Sequence, residues 1–396
     1  LRQGLIVLRK GLCMSEKPLS GLKVLDLSRV LAGPFAGQLL ADLGARVIKV
    51  ESPQGDDTRG WGPPFIDRQD GSRDAAYFHS CNRGKHSMIA DLRNSDDLAN
   101  VRALAAKADV VIENFKVGGL KKFGLDHVTL CQRHPALIYC SITGFGHSGP
   151  KCHQAGYDIM IQGLSGIMSI TGEASGPPQK MGMAFADIFT GLYSVIAIQA
   201  ALAARARSGK GAFIDMALLD CMTGVLANQA MNYLASGIVP ARMGNAHPNI
   251  VPYQAFAVAD GYVIVAVGND GQFKRFCRVL GRDELAQDTR FATNPDRVRN
   301  RVDLIAMLET DLQQWPRDEL LAALETATVP AGPIHDIGEA LNDPQLLHRG
   351  MVVEREGIPG LASPIHLGGQ AMAADLASPT LGNISFEEAE KLFAEG

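Results

Sequence analysis

Short uninterrupted apolar runs alternate with amphipathic stretches through the first half of the chain. KVLDL at 23–27 and RVIKV at 46–50 read as buried strands, with a helix over about Pro34–Leu43 between them. DVVIE at 109–113 and LIYCSI at 137–142 read as further strands, and Leu98–Ala108 as a helix. Strands apolar on both faces and separated by helices predict an α/β fold with a Rossmann-like, mainly parallel sheet covered on both sides. A long apolar helix through Ile188–Ala204 follows, then a strand near Phe213–Met216 and a helix around Leu218–Leu234. Pro240, Gly244, Pro248 and Pro252 mark a linker. Beyond it come a strand at Gly261–Gly268 and helices near Gln272–Leu280, Arg301–Leu312 and Arg317–Leu324. The tail from about Gly332 is rich in Gly and Pro and ends in a short helix at Phe386–Ala394. The expected organisation is a large domain over 14–225, a linker and smaller α/β domain over 226–330, and a segment over 331–396 returning to the large domain.

Composition narrows the function. The 396 residues are long enough for a sizeable core and two domains. A net charge of −4 with mixed signs leaves no basic footprint for nucleic acid. The cysteines at 13, 81, 131, 140, 152, 221 and 277 show no C-x-x-C and no metal-type spacing, which predicts reduced thiols in a cytoplasmic protein without a metal. The run Ile188–Ala204 contains Thr190, Ser194 and Gln199 and is short for a membrane span, so it reads as a core helix. Residues 1–13 have basic flanks, a very short apolar stretch and no cleavage-type small residues. They read as an extension outside the fold rather than a signal peptide.

Asp187 is the only acidic residue between Met181 and Arg205, at the mouth of the long apolar helix. An aspartate there is a good N-cap and complements the helix dipole. It is equally placed to be a carboxylate nucleophile, with helix amides nearby to stabilise an oxyanion. Local sequence leaves both open. A decoy lies upstream: Gly144–Gly149 fits G-x-G-x-x-G after a strand, but Pro150 follows and no helical pattern opens there. A dinucleotide fingerprint needs that helix. No G-x-x-x-x-G-K-[ST] loop is present.

The words GYDIMIQGLSGIMSITG and FADIFTGLYSVIAIQAAL around Asp187 resemble the core of the class III CoA-transferases, a family that also holds 2-methylacyl-CoA racemases. The resemblance runs from PLSGLKVLDLSRVLAGPFAGQLLADLGARVIKVE through GDDTRGWGPPF, ADVVIENF, ITGFGHSGP and SGKGAFIDMALLDC to VPAGPIHDI. It implies that Asp187 is the nucleophile and that acyl-CoA is a substrate rather than a bound cofactor. It also implies an obligate homodimer of interlaced subunits. Arg29, Asn114, Phe115 and Lys122 stand where the family holds CoA, and Arg59 is a further anion-binding candidate. Each has an ordinary structural alternative: a surface charge for the bases, a core aromatic for Phe115.

Tyr157 precedes the aspartate of the G-x-D word, where the racemases resemble this segment but carry a histidine acid/base. A phenol with a pKa of about 10 replaces that histidine poorly. Its alternative is a core ring with one bonded hydroxyl. Formyl-CoA:oxalate enzymes have Gln where Leu31 stands and a glycine run that this chain replaces with MGNAHPNIVPYQAF at Met243–Phe256. That word is closer to the branch using succinyl-CoA or similar donors. On this reading Arg242 or His247 holds a distal carboxylate, with His247 otherwise a turn residue. Backbone amides near Asp187 and Gly163–Gly166 are oxyanion candidates. The reading is thus CoA transfer to a carboxylic acid, with a racemase or a non-catalytic acyl-CoA binding protein as alternatives.

Overall fold

The computed structural model describes residues 16–68 and 70–395. The 1–13 extension and Cys13 lie outside the described residues. By internal contacts the described residues form two compact units, one of residues up to 167, 181–230 and from 343 on, the other of 168–180 and 231–342.

The first unit is built on six parallel strands: β1 (Lys23–Asp26), β2 (Arg46–Glu51), β3 (Lys85–Ile89), β4 (Val110–Glu113), β5 (Ile138–Thr143) and β6 (Ala212–Ala217). Their order across the sheet is β3-β2-β1-β4-β5-β6. The chain winds outward from β1 to β3, then returns to lay β4 against the other side of β1. That reversal is a topological switch point, and the crevice beyond the carboxyl ends of β1 and β4 is where such sheets take ligands.

Alternate strand residues feed two cores. Val24, Val47, Val110, Ile112, Ile138 and Cys140 pack with helices α1 (Ala32–Asp42) and α2 (Phe185–Ser208) on one face. Leu25, Ile48, Val111 and Tyr139 pack on the other with Val101 and Leu104, and with Ala389 and Phe393 of the terminal helix Phe386–Ala394. Period-two alternation with both faces buried is what continuous apolar strands require. The predicted helix at Leu98–Ala108 runs over Ser95–Lys107 because Asn94 caps it, accepting from the amides of Asp96 and Asp97.

Two elements differ from expectation. β3 has the polar sequence KHSMI and gives no apolar signal, yet Lys85 and Ser87 are buried. The Lys85 ammonium is neutralised there by Asp26 at 2.8 Å. The helix expected over Leu218–Leu234 divides into Leu218–Gly224 and Ala227–Ser236, with Ala227, left-handed at φ +45°, opening the second.

The second unit carries a three-stranded antiparallel sheet, Ala331–Pro333 beside Gly261–Ala266 beside Tyr253–Val258. Helices Asp270–Val279, Arg301–Leu312 and Arg317–Thr326 cover it, burying Phe273, Phe276, Leu304, Leu308, Leu320 and Leu324. Because the short strand at 331–333 pairs inside this sheet, the unit extends to Asn342 rather than ending at 330.

α2 is the one helix among the described residues long and apolar enough to cross a membrane by length and composition. One face of it is buried through Ala186, Thr190, Val195 and Ile198. Leu192, Tyr193 and Ile196 on another face are exposed.

Candidate active site

A cavity of about 600 Å³ opens at the switch point. Its walls are the loop after β1 (Arg29–Ala32), the loop after β4 (Asn114–Val117), the segment Cys152–Asp158 and Asp187. A second cavity, of about 310 Å³, lies at the carboxyl ends of β1 and β2 and shares Arg29 and Phe115 with the first.

Asp187 sits in the first turn of α2 but does not cap it. The cap position is Ala184, which makes no side-chain hydrogen bond. The helix is capped from outside by Asp158, whose Oδ1 accepts the Ala186 amide at 2.8 Å and the Asp187 amide at 3.3 Å. The N-cap reading of Asp187 is thereby corrected, since a neighbouring carboxylate already serves its helix amides. Burial, and then the charge of Asp158, push the Asp187 carboxyl up to about 7. A carboxyl in a cavity wall with its charge so disfavoured is a candidate functional group.

Two glycine contacts bring Asp187 here. A Cβ on Gly191, one turn along α2, would lie 2.8 Å from the Ala32 carbonyl oxygen, so only glycine lets α2 approach the start of α1 this closely. Gly144 and Gly156 cross in the same way, a Cβ on Gly144 falling 2.5 Å from the Gly156 Cα. The G-x-G-x-x-G segment thus serves a close backbone crossing, and the next helix opens only at Asp158.

Tyr157 precedes Asp158 and is 65% exposed at the cavity, so it is not the core ring offered as its structural alternative. Arg29 lines both cavities; its guanidinium is 3.6 Å from the exposed Asp57 carboxylate and 6.0 Å from the Phe115 ring centre. Phe115 also lines both cavities. Asn114 lies in the wall, but its carboxamide clamps the Arg29 backbone, accepting from N–H at 2.9 Å and donating to C=O at 2.7 Å. Lys122 is exposed on a short turn, its Nζ 4.7 Å from the Phe123 ring centre, and lines neither cavity.

Arg59 needs correction as an anion-binding candidate. Its guanidinium is buried against Glu51 at 2.7 Å and Asp74 at 2.9 Å, and stacks 3.7 Å over Phe78. Two carboxylates already balance its charge, so it ties the loop after β2 to the core instead of facing ligand. Gly163 and Gly166 do not line the cavity.

Arg242 and His247 belong to the second unit. Arg242 donates to the carbonyls of Glu173 and Gly176, and His247 Nδ1 accepts the Asn249 amide beside the Tyr253 ring. The described cysteines are all free thiols, and no cluster of metal-ligating side chains occurs among the described residues.

Three residues at the site went unread in the sequence. Asp158 was legible only as part of a motif, since the amides that donate to it lie 28 and 29 residues away. Trp61 lines the cavity and meets Tyr77 edge-on at 5.2 Å. The Tyr77 phenol is pushed up to about 12 by burial and by the nearby Asp187 charge. The signal for this pair was the aromatic residues following GDDTR, which local pattern alone does not distinguish from packing.

Residues 19–384 match the model of CoA-transferase family III. The chain is 55% identical over 374 residues to succinate–glutarate CoA-transferase of Agrobacterium fabrum, covering 93% of this chain and 94% of that protein. It is 43% identical to succinyl-CoA:glutarate CoA-transferase of Mus musculus, covering 86% and 78%. The crystal structure of a CAIB/BAIF family protein from Brucella suis superposes with a TM-score of 0.85 at 60% identity, covering 96% and 99%. The chain belongs to the family III CoA-transferases.

Proposed function

We propose that this enzyme moves CoA from succinyl-CoA to a dicarboxylate of glutarate type, with Asp187 as the nucleophile. The observation that carries the reading is Asp187 itself, set in the wall of a cavity at the sheet's switch point with its carboxyl raised to about 7. The names of the relatives, which act between succinate or succinyl-CoA and glutarate, supply the substrate class.

The Asp187 carboxylate attacks the thioester carbonyl, the C–S bond breaks, and an acyl-aspartyl anhydride and CoA thiolate form. The thiolate attacks the aspartyl carbonyl and expels the donor acid as its carboxylate, leaving an aspartyl-CoA thioester. The acceptor carboxylate attacks that thioester, giving a second anhydride and the thiolate again. The thiolate then takes the acceptor acyl group and restores Asp187. No net proton, metal or redox equivalent is needed. The tetrahedral oxyanions form beside the first-turn amides of α1, a helix without a side-chain cap, whose starting residues Leu31 and Ala32 share the cavity with Asp187.

CoA is long enough to use both cavities. Its nucleotide end suits the smaller one, between Phe115, Phe123 and Arg93, and its thioester reaches the larger one past Arg29. Lys122 and Arg29 supply positive charge near the phosphates. Arg242 or His247 serves the distal carboxylate of the acid. The protein works as a cytoplasmic homodimer in which a second copy covers the exposed apolar side chains Leu192, Tyr193 and Ile196 of α2. Tyr157 in place of histidine disfavours racemisation, which lacks its second acid/base.

Incubation with succinyl-CoA and a panel of dicarboxylates, followed by mass spectrometry of the thioesters, tests the reading. New glutaryl-CoA, lost in Asp187→Ala, is the expected result. Deuterium uptake at C2 of a 2-methylacyl-CoA without exchange would favour a racemase. CoA binding without either reaction would favour a binding protein.

A further inference from the structure

Val30 is a β-branched residue in the left-handed region, at φ +71°. Such a residue is held there only when its surroundings fix it, and these conformations gather at functional sites. Val30 stands in the cavity wall, between Arg29 and the start of α1.

What fixes it is a set of side chains that takes up the loop's backbone groups in turn. Asp26 accepts the Ser28 amide at 2.9 Å, and the Lys49 ammonium donates to the Ser28 carbonyl at 2.7 Å. Asn114 takes both backbone groups of Arg29. The Val30 amide is shared by the two carboxylate oxygens of Asp56, at 3.3 and 3.2 Å. Asp56 is itself immobilised: its carboxylate meets fully buried Lys49 at 2.9 Å and accepts the Thr58 hydroxyl at 2.8 Å, while its amide donates to Glu51 at 2.9 Å. A Cβ on Gly33 would fall 2.3 Å from Ser28 Oγ, so the first turn of α1 is pressed back onto this same loop.

A buried ion pair is a poor source of net stability but a good source of fixed geometry. We propose that Asp56, anchored by Lys49, is a positioning residue: it holds Val30 left-handed and so fixes the wall from Arg29 to Ala32 against which the thioester is attacked. Asp56 touches no reacting atom and acts through the backbone. The inference deepens the acyl-transfer reading of this cavity and rests on it for its catalytic consequence.

The test pairs Asp56→Asn with Val30→Gly in the full-length protein. Asn keeps an acceptor but weakens the clamp, letting Val30 relax to negative φ. Asp56→Asn should lose on the order of tenfold in kcat for CoA exchange, as misplaced site walls do. Glycine enters the left-handed region at no steric cost. The double variant Asp56→Asn/Val30→Gly should therefore recover part of the lost kcat. A role limited to neutralising Lys49 would give no rescue, so a double variant no faster than Asp56→Asn overturns the proposal, as does an Asp56→Asn enzyme with wild-type kcat. Should Asp56→Asn not fold, Val30→Pro leaves the buried pair intact while forcing negative φ and deleting the amide donor. Wild-type turnover in that variant overturns the proposal as well.

Backbone hydrogen exchange over residues 27–33 reads the clamp without reference to catalysis. Faster exchange in Asp56→Asn is expected, and unchanged exchange overturns the clamp whatever the enzyme's reaction. Wild-type enzyme that exchanges no CoA, with the clamp intact by this measure, would instead count against the acyl-transfer reading.

Discussion

The Asp158 carboxylate accepts the amides of Ala186 and Asp187, at 2.8 and 3.3 Å, and so caps the helix that presents the neighbouring carboxylate of Asp187. One group thus serves two ends. It orders the first turn of α2, and its negative charge, after burial, raises the Asp187 carboxyl. Asp158→Asn retains an acceptor and removes the charge, so the acid limb of the pH–rate profile should move below about 7. Asp158→Ala removes the cap as well and should cost about 1 kcal/mol of stability, as cap losses do. Rate profiles and thermal melts of the two variants check the pair; an unmoved acid limb in Asp158→Asn would show that burial alone sets the shift.

Asp187 also makes a prediction about stability whose sign can be worked out. Its carboxyl is raised from 3.8 to about 7 in the folded chain, so ionisation favours the unfolded state. The penalty is absent below the unfolded value near 4, grows as pH rises between the two values, and is complete above about 7. Asp187→Asn should therefore stabilise the fold at pH 8 and not at pH 4. At about 1.4 kcal/mol per unit the ceiling is ~4 kcal/mol, and a partly solvated group should deliver on the order of 1–3. Denaturant melts at the two pH values measure it. Equal effects at both would mean that the substitution acts through packing.

The sheet was legible where its residues are apolar. KVLDL, RVIKV, DVVIE and LIYCSI all pair in parallel, because strands buried on both faces carry continuous apolar runs. β3 was not, because Lys85 is paid for by a distant Asp26 that no local pattern reveals. Asp187 was legible as a lone acid at a helix mouth, and the chemistry proposed for it comes from the family resemblance. That Asp158, rather than Asp187, caps the helix depends on a contact across 28 residues. Arg59 misled for a related reason: a basic residue after a strand looks like an anion site until Glu51 and Asp74 are seen to enclose it.

Arg29 and Arg59 should consequently respond in opposite ways to substitution. Arg29 is exposed at the junction of the two cavities, and its ion pair with Asp57 is solvent-facing. Such pairs contribute about 0–1 kcal/mol, so Arg29→Ala should keep its melting temperature and weaken CoA binding about tenfold. Removing one partner of a buried pair costs roughly 3–5 kcal/mol, so Arg59→Ala should lower stability by that order while the folded fraction binds CoA normally. Calorimetric titration with CoA beside thermal melts separates them. Weakened binding in Arg59→Ala at full stability would restore it as an anion-binding residue.

Gly191 tests how tightly Asp187 must be placed. Its Cα faces the first turn of α1, where an added Cβ would meet the Ala32 carbonyl oxygen at 2.8 Å and the Phe35 ring at 3.1 Å. The carbonyl is backbone and cannot swing aside, so Gly191→Ala must push α2 away from α1. Alanine gains helix propensity over glycine by about 0.8–1 kcal/mol, which opposes an overpacking cost of typically 1–3 kcal/mol. Stability should thus fall by no more than about 2 kcal/mol. Turnover has no such compensation: Asp187 lies one turn away on the moved helix, and a displacement near 1 Å costs on the order of a hundredfold. A large loss of kcat with a small loss of melting temperature is expected. Loss of both in proportion would mean that the α1–α2 contact serves the fold alone.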